Sequence, residues 1–143
     1  MSNSNCLEEL MNSLMTIYSI SIIEHYMILL MIIKAGKGAD IQDQLINALR
    51  EHLDKESRLI KSMEKLNLCL DAHAIKLIND YLRNISEGLS LINDAEFISN
   101  YINNFTDSLK TLLKYLVIHN ELLIKIINSI QEVIDNLLKI IEI

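Results

Sequence analysis

Residues 41–63 read IQDQLINALREHLDKESRLIKSM, and this stretch decides the fold. Leu45, Leu49, His52, Glu56, Leu59 and Met63 recur at three- and four-residue spacing, while Arg50, Glu51, Asp54, Lys55, Arg58 and Lys61 fall mostly on the other faces. That period marks one side of an amphipathic helix. Two members of the inward stripe, His52 and Glu56, are polar, so the stripe asks for a chemical explanation as well as a packing one.

The same period continues on both sides. Helix 1 is expected from about Leu7 to Ile33, stopped by Ala35-Gly36-Lys37-Gly38, with Asp40 as the N-cap of helix 2 at Ile41. Helix 3 starts near Asn67 or Asp71, carries Leu70, His73, Leu77, Tyr81 and Ile85, and ends near Gly88. Asn93-Asp94 caps a further run marked by Ile98, Phe105, Leu112, Leu116, His119, Leu123 and Ile130. As one helix to Ile143 that run would be ~75 Å long, so a break is expected at Asn103-Asn104 or at His119-Asn120. Composition agrees with helix throughout: 25 Ile and 24 Leu stand against two Val and three Thr, with no Pro to interrupt a helix. The fold class that follows is all-α, an up-down-up-down antiparallel four-helix bundle with a C-terminal helical extension. A single domain spans residues 1–143, with its core at about 5–127 and the extension at about 128–143.

Charge and cysteine content exclude several functions. With 19 acidic against 13 basic residues and no dense Lys/Arg cluster, no nucleic acid partner is expected. Cys6 and Cys69 are too few and too isolated for a disulfide framework or a thiolate zinc site, which points to a reducing, cytoplasmic setting. No secretory leader pattern opens the chain. Ile17 to Ile33 is apolar enough to raise a transmembrane helix, but Glu24 and His25 lie in its middle, so a deeply buried helix and no membrane partner are expected. No phosphate loop, dinucleotide fingerprint, nucleophile elbow or His-Glu-x-x-His motif occurs, and no Glu lies three residues before a His as ferritin-type sites require. A turnover enzyme is not expected.

The chain has four histidines, one per expected helix and each on that helix's apolar side: His25, His52, His73 and His119. Glu56 follows His52 by one turn and shares its face. A buried carboxylate requires a cation or several donors, and imidazoles from four helices around one carboxylate suit iron, zinc or copper. Tyr115, one turn before His119, and Asp80 or Tyr81, two turns after His73, are further candidates to point at the same cavity. The competing reading is that the histidines only pack.

The Glu24-His25 pair, the His52-x3-Glu56 motif, His73 and His119 together resemble the hemerythrin-like (HHE cation-binding) family, over roughly Ser13 to Ile127. The resemblance implies a four-helix bundle holding non-haem iron and binding dioxygen. It assigns His25 and His52 to one iron, His73 and His119 to the other, and Glu56 as the bridge. Two positions depart from the pattern: Leu77 stands where a second helix 3 ligand is expected, one turn after the histidine, and Ile124 where a bridging acid is expected, and neither can bind a metal. For His73 and His119 to meet, the last long helix must start near Asn104. The open metal position would lie in a dry pocket walled by Leu49, Leu77, Leu116 and Leu123.

Two functions follow. The first is an oxygen- or iron-binding or sensing bundle with non-haem iron in a reduced ligand set, metal ligands His25, His52, Glu56, His73 and His119. The second is a metal-free helical interaction protein. In it Tyr26 to Ile33 and Leu122 to Ile143 supply apolar faces for partners or for homo-oligomers.

Overall fold

The quoted stretch folds as its period dictates: Gln42–Ser62 is a helix whose buried residues are Leu45, Leu49, His52, Leu53, Glu56 and Ile60. The computed structural model describes residues 2–141, with five helices and no strand among them. These are α1 (Asn3–Gly36), α2 (Gln42–Ser62), α3 (Ala72–Asn93), α4 (Ala95–Asn103) and α5 (Phe105–Ile141). A 3-10 segment, Met63–Leu68, joins α2 to α3. Within α1, Ile17–Ile22 is wound as a π-helix, a widened turn that no residue pattern announced.

Side-chain oxygens close most helix starts. Ser2 accepts from the Asn5 backbone N–H at 3.2 Å, Asp71 from Ala74 at 2.8 Å and Asp94 from Phe97 at 3.0 Å. Asp40 does not cap α2 as expected. The chain turns through Gly38 at φ +101°, and Ile41 stands at the N-cap without a side-chain bond. Gly88 also departs from expectation, because α3 runs through it to Asn93. Its missing side chain makes room for a neighbour: a Cβ there would collide with the Tyr115 hydroxyl and stand 2.9 Å from Leu53 Cδ1. The break in the last run falls at Asn104, and α5 then passes through His119-Asn120 without interruption for 37 residues, about 55 Å.

Helix α1 packs on α2 and α5, and α3 packs on the same two, so the four long helices close a ring of neighbours; α4 lies against α3 and α5. Fully buried side chains such as Leu10, Leu49, Leu53, Leu112 and Leu116 fill the ring, each contributing roughly 1.5–3 kcal/mol on removal from water. Ser129, Ile130 and Ile134 are buried too, and Leu137 and Leu138 pack half-buried against the core, so the segment after residue 127 is part of the packed body. Helix α1 is not deeply buried as expected. Leu10, Ile17, His25, Ile28 and Ile32 face inward, but only 28% of its most apolar window is covered. By length and apolarity alone this helix is sufficient to cross a membrane.

The expected isolation of the cysteines is overturned. Cys6 and Cys69 form a disulfide with Cα atoms 5.5 Å apart, because the 3-10 segment and the short turn into α3 bring residue 69 against the first turns of α1. An intracellular setting therefore loses the ground on which it was expected.

Two outcomes follow. Gly88→Ala should destabilise the fold by about 1–3 kcal/mol in urea titrations, since the collision with Tyr115 outweighs alanine's better helix propensity. The protein should show no reactive thiol until reduced. Cys6→Ser should lose about 4 kcal/mol, the loop-closure entropy of a bridge spanning 63 residues.

Candidate metal centre

Polar side chains from all four long helices meet inside the ring. Helix α1 supplies His25, α2 supplies His52 and Glu56, α3 supplies Tyr81, and α5 supplies His119; each is at most 2% exposed. One nitrogen from each imidazole and one Glu56 oxygen all lie within 4.8 Å of one another. The α2 pair meets at one level because residues four apart stack on the same face of a helix. On α1, the π turn keeps Ile17, Ser21 and His25 inward at four-residue steps, a spacing that would drift around a regular helix.

Each imidazole is held from behind in the same way. The Nδ1–H of His25 donates to Asn120 Oδ1 at 2.8 Å, that of His52 to Glu24 Oε1 at 2.7 Å, and that of His119 to Asn84 Oδ1 at 2.7 Å. These acceptors set the tautomer, leaving the Nε2 lone pairs directed at Glu56. Nε2 of His119 lies 2.6 Å from Glu56 Oε1, Nε2 of His25 3.2 Å from Oε2, and Nε2 of His52 3.4 Å from Oε1. A lone pair facing a carboxylate is repulsive, so these short distances require either a proton on Nε2 or a cation between the groups. His52 Nε2 is buried without a hydrogen-bond partner, as is the Ser21 hydroxyl one turn before His25. The constellation thus presents three imidazole nitrogens and a carboxylate around one point, a group that could hold a metal ion.

Burial pushes the Glu56 carboxyl up, yet its contacts with His119, His25 and His52 outweigh this and hold it well below the usual carboxylate range. Burial pushes His119 below the ordinary imidazole value. For His52 burial also acts downward, but Glu56 and Glu24 on its two sides raise it overall. Burial, then Glu56, drives the Tyr81 hydroxyl well up, so it stays protonated and donates to Glu56 Oε2. On the outer side, Lys55 Nζ grips Glu24 Oε2 at 2.7 Å. A shallow surface cavity of about 170 Å³ lined by Met27, Met31, Glu51 and Lys55 reaches Glu24 and His52 from outside.

The structure brings together His25, His52, Glu56 and His119, and it does not bring His73 to them. Because α3 starts just after Asp71, His73 sits in its first turn, exposed. It is eight residues, about 12 Å, from the level of Tyr81. His73 and Leu77 line a surface groove with Lys125 and Glu132, so Leu77 does not wall the centre, whereas Leu49, Leu116 and Leu123 are buried. Of the two alternatives on α3, Tyr81 points inward, while Asp80 pairs outside with Lys76 and Arg83 at 3.5 and 3.6 Å. Ile124 is 41% exposed. Sequence reasoning missed the amide supports Asn84 and Asn120. Asn84 follows Tyr81 by three residues and shares its face, a readable signal; Asn120 carries none.

No family model matches the chain, and no curated protein or solved structure is significantly similar to it.

Because the folded pKa of Glu56 lies below its ordinary value of 4.5, its stabilising contribution is present above that value and is lost as the pH falls through the folded value. Urea midpoints measured on metal-free protein should therefore fall steeply below about pH 4.5. In Glu56→Gln this acid limb should flatten.

Proposed function

We propose that this chain is a hemerythrin-like bundle, up-down-up-down in its four long helices, that holds a single non-haem iron ion and serves in oxygen or iron binding or sensing. The observation that carries the reading is the convergence of three imidazole Nε2 atoms on Glu56, each imidazole fixed by an outer oxygen, with His52 Nε2 left without a partner. Outer oxygens of this kind orient and strengthen imidazole ligands in metal sites. A set of three imidazoles and one carboxylate favours iron, zinc or copper over calcium or magnesium.

The donor set fits one ion better than two. His73 is exposed, Leu77 and Ile124 offer no ligand, and one carboxylate leaves two divalent ions poorly neutralised. His25, His52, His119 and Glu56 would hold the ion. Iron there would supply reversible redox chemistry and affinity for dioxygen. Around it, Leu49, Leu116 and Leu123 exclude water, and Asn84, Asn120 and Glu24 keep the imidazoles oriented.

A second reading, a metal-free interaction protein, is favoured by one observation. Met15, Tyr18, Tyr26, Met27, Leu30 and Ile33 leave the outer side of α1 apolar and at least half exposed.

Metal analysis separates the two. Protein purified without chelator, or loaded anaerobically with ferrous iron, should carry about one equivalent. His52→Ala should lose that iron with helical content intact. Less than a tenth of an equivalent of any transition metal in the wild type would overturn the iron reading, and under the second reading His52→Ala changes stability only.

A further inference from the structure

We propose that Tyr81 is itself a metal ligand, its phenolate oxygen completing the set His25, His52, Glu56 and His119 and tuning it to ferric iron. The inference rests on the metal reading above. It adds a donor that no ligand pattern assigns and commits the site to an oxidation state.

The geometry places the oxygen among the donors. Donors bound to one ion at about 2.1 Å stand ~3.0 Å apart at right angles and ~3.4 Å apart in a tetrahedron. Tyr81 Oη lies 3.0 Å from His119 Nε2, against 3.2 Å for His25 Nε2 to Glu56 Oε2 and 3.4 Å for His52 Nε2 to Glu56 Oε1. Its hydroxyl also donates to Glu56 Oε2. Oη therefore touches two of the other ligand atoms, standing from His119 Nε2 at the spacing of donors that share one ion and meeting Glu56 through its hydroxyl proton. An outer residue such as Asn84 touches only the rear nitrogen of an imidazole.

The position is also fixed. Tyr81 is fully buried, and its ring stacks on that of His119 with centroids 4.5 Å apart and planes 19° from parallel. The other nearby phenol is committed elsewhere: Tyr115 donates to the Asn84 carbonyl at 2.7 Å.

Charge gives the preference. Three neutral imidazoles and one carboxylate leave a divalent ion at +1 and a trivalent ion at +2 in a water-poor core, where uncompensated charge is costly. Coordination by phenolate releases the hydroxyl proton to solvent and lowers each total by one. A hard anionic oxygen also binds a trivalent ion more strongly than a divalent one. Tyr81 thus supplies a negative ligand where Ile124 offers none.

The test is colour. The wild type is loaded anaerobically with ferrous iron and oxidised in air. It should then show a phenolate-to-iron(III) charge-transfer band in the visible, with tyrosine ring modes enhanced in the resonance Raman spectrum. Zinc-loaded protein should remain colourless. Tyr81→Phe keeps the ring and its stacking; at saturating iron it should bind the same amount but lose the band, with ferric affinity falling roughly 10- to 100-fold. Tyr115→Phe should keep the band. Iron bound without the band in the wild type, or a band surviving in Tyr81→Phe, would overturn the proposal while leaving the iron reading standing. Failure to bind iron at all would overturn both.

Discussion

The structure turns on one buried carboxylate. Glu56 is fully enclosed, and an isolated ionised carboxyl in such a place costs several kcal/mol. Three imidazoles and a phenol surround it, and they come from four different helices. Holding that charge therefore means holding α1, α2, α3 and α5 at a common level. Leucine and isoleucine packing would accept many small displacements of one helix along another. The polar centre accepts few, because a shift of one residue would carry an imidazole or the phenol off the inward face.

Support for the centre reaches well beyond the ligand atoms. Gly88 lets Tyr115 approach α3, Tyr115 donates to the Asn84 backbone, and the Asn84 side chain accepts from His119. A position with no side chain thus bears on the orientation of an imidazole on another helix. On the opposite side Lys55 steadies Glu24, which in turn orients His52, so that imidazole is governed from the surface. The order of the imidazoles is inherited from these outer contacts.

What the sequence made legible and what it hid divide along physical lines. His52 and Glu56 were readable because one turn of one helix fixes their relation, and the all-helical class was readable from period and composition. His73 misled because its stripe membership was right while its height was wrong; periodicity reports the angle around a helix, not the level at which four helices meet. Gly88 was taken for a helix end because its reason lies in Tyr115, 27 residues away in the chain. The Cys6–Cys69 bridge was hidden for the same cause, since two cysteines 63 residues apart carry no local signal of contact. Tyr81 was one of two neighbours, and only the rotation of α3 distinguished it from Asp80.

The π turn in α1 gains meaning when the helix is measured between its two fixed points. Cys6 is tied covalently to Cys69, and His25 is tied to the polar centre; they are 25 − 6 = 19 residues apart. Five regular turns take about 18 residues, so a regular helix would carry one of the two about 100° off the inward face. The widened turn at Ile17–Ile22 absorbs the extra residue, and both face inward. The local irregularity is the slack that lets one rigid rod answer to a covalent anchor at one end and to the buried polar cluster further along.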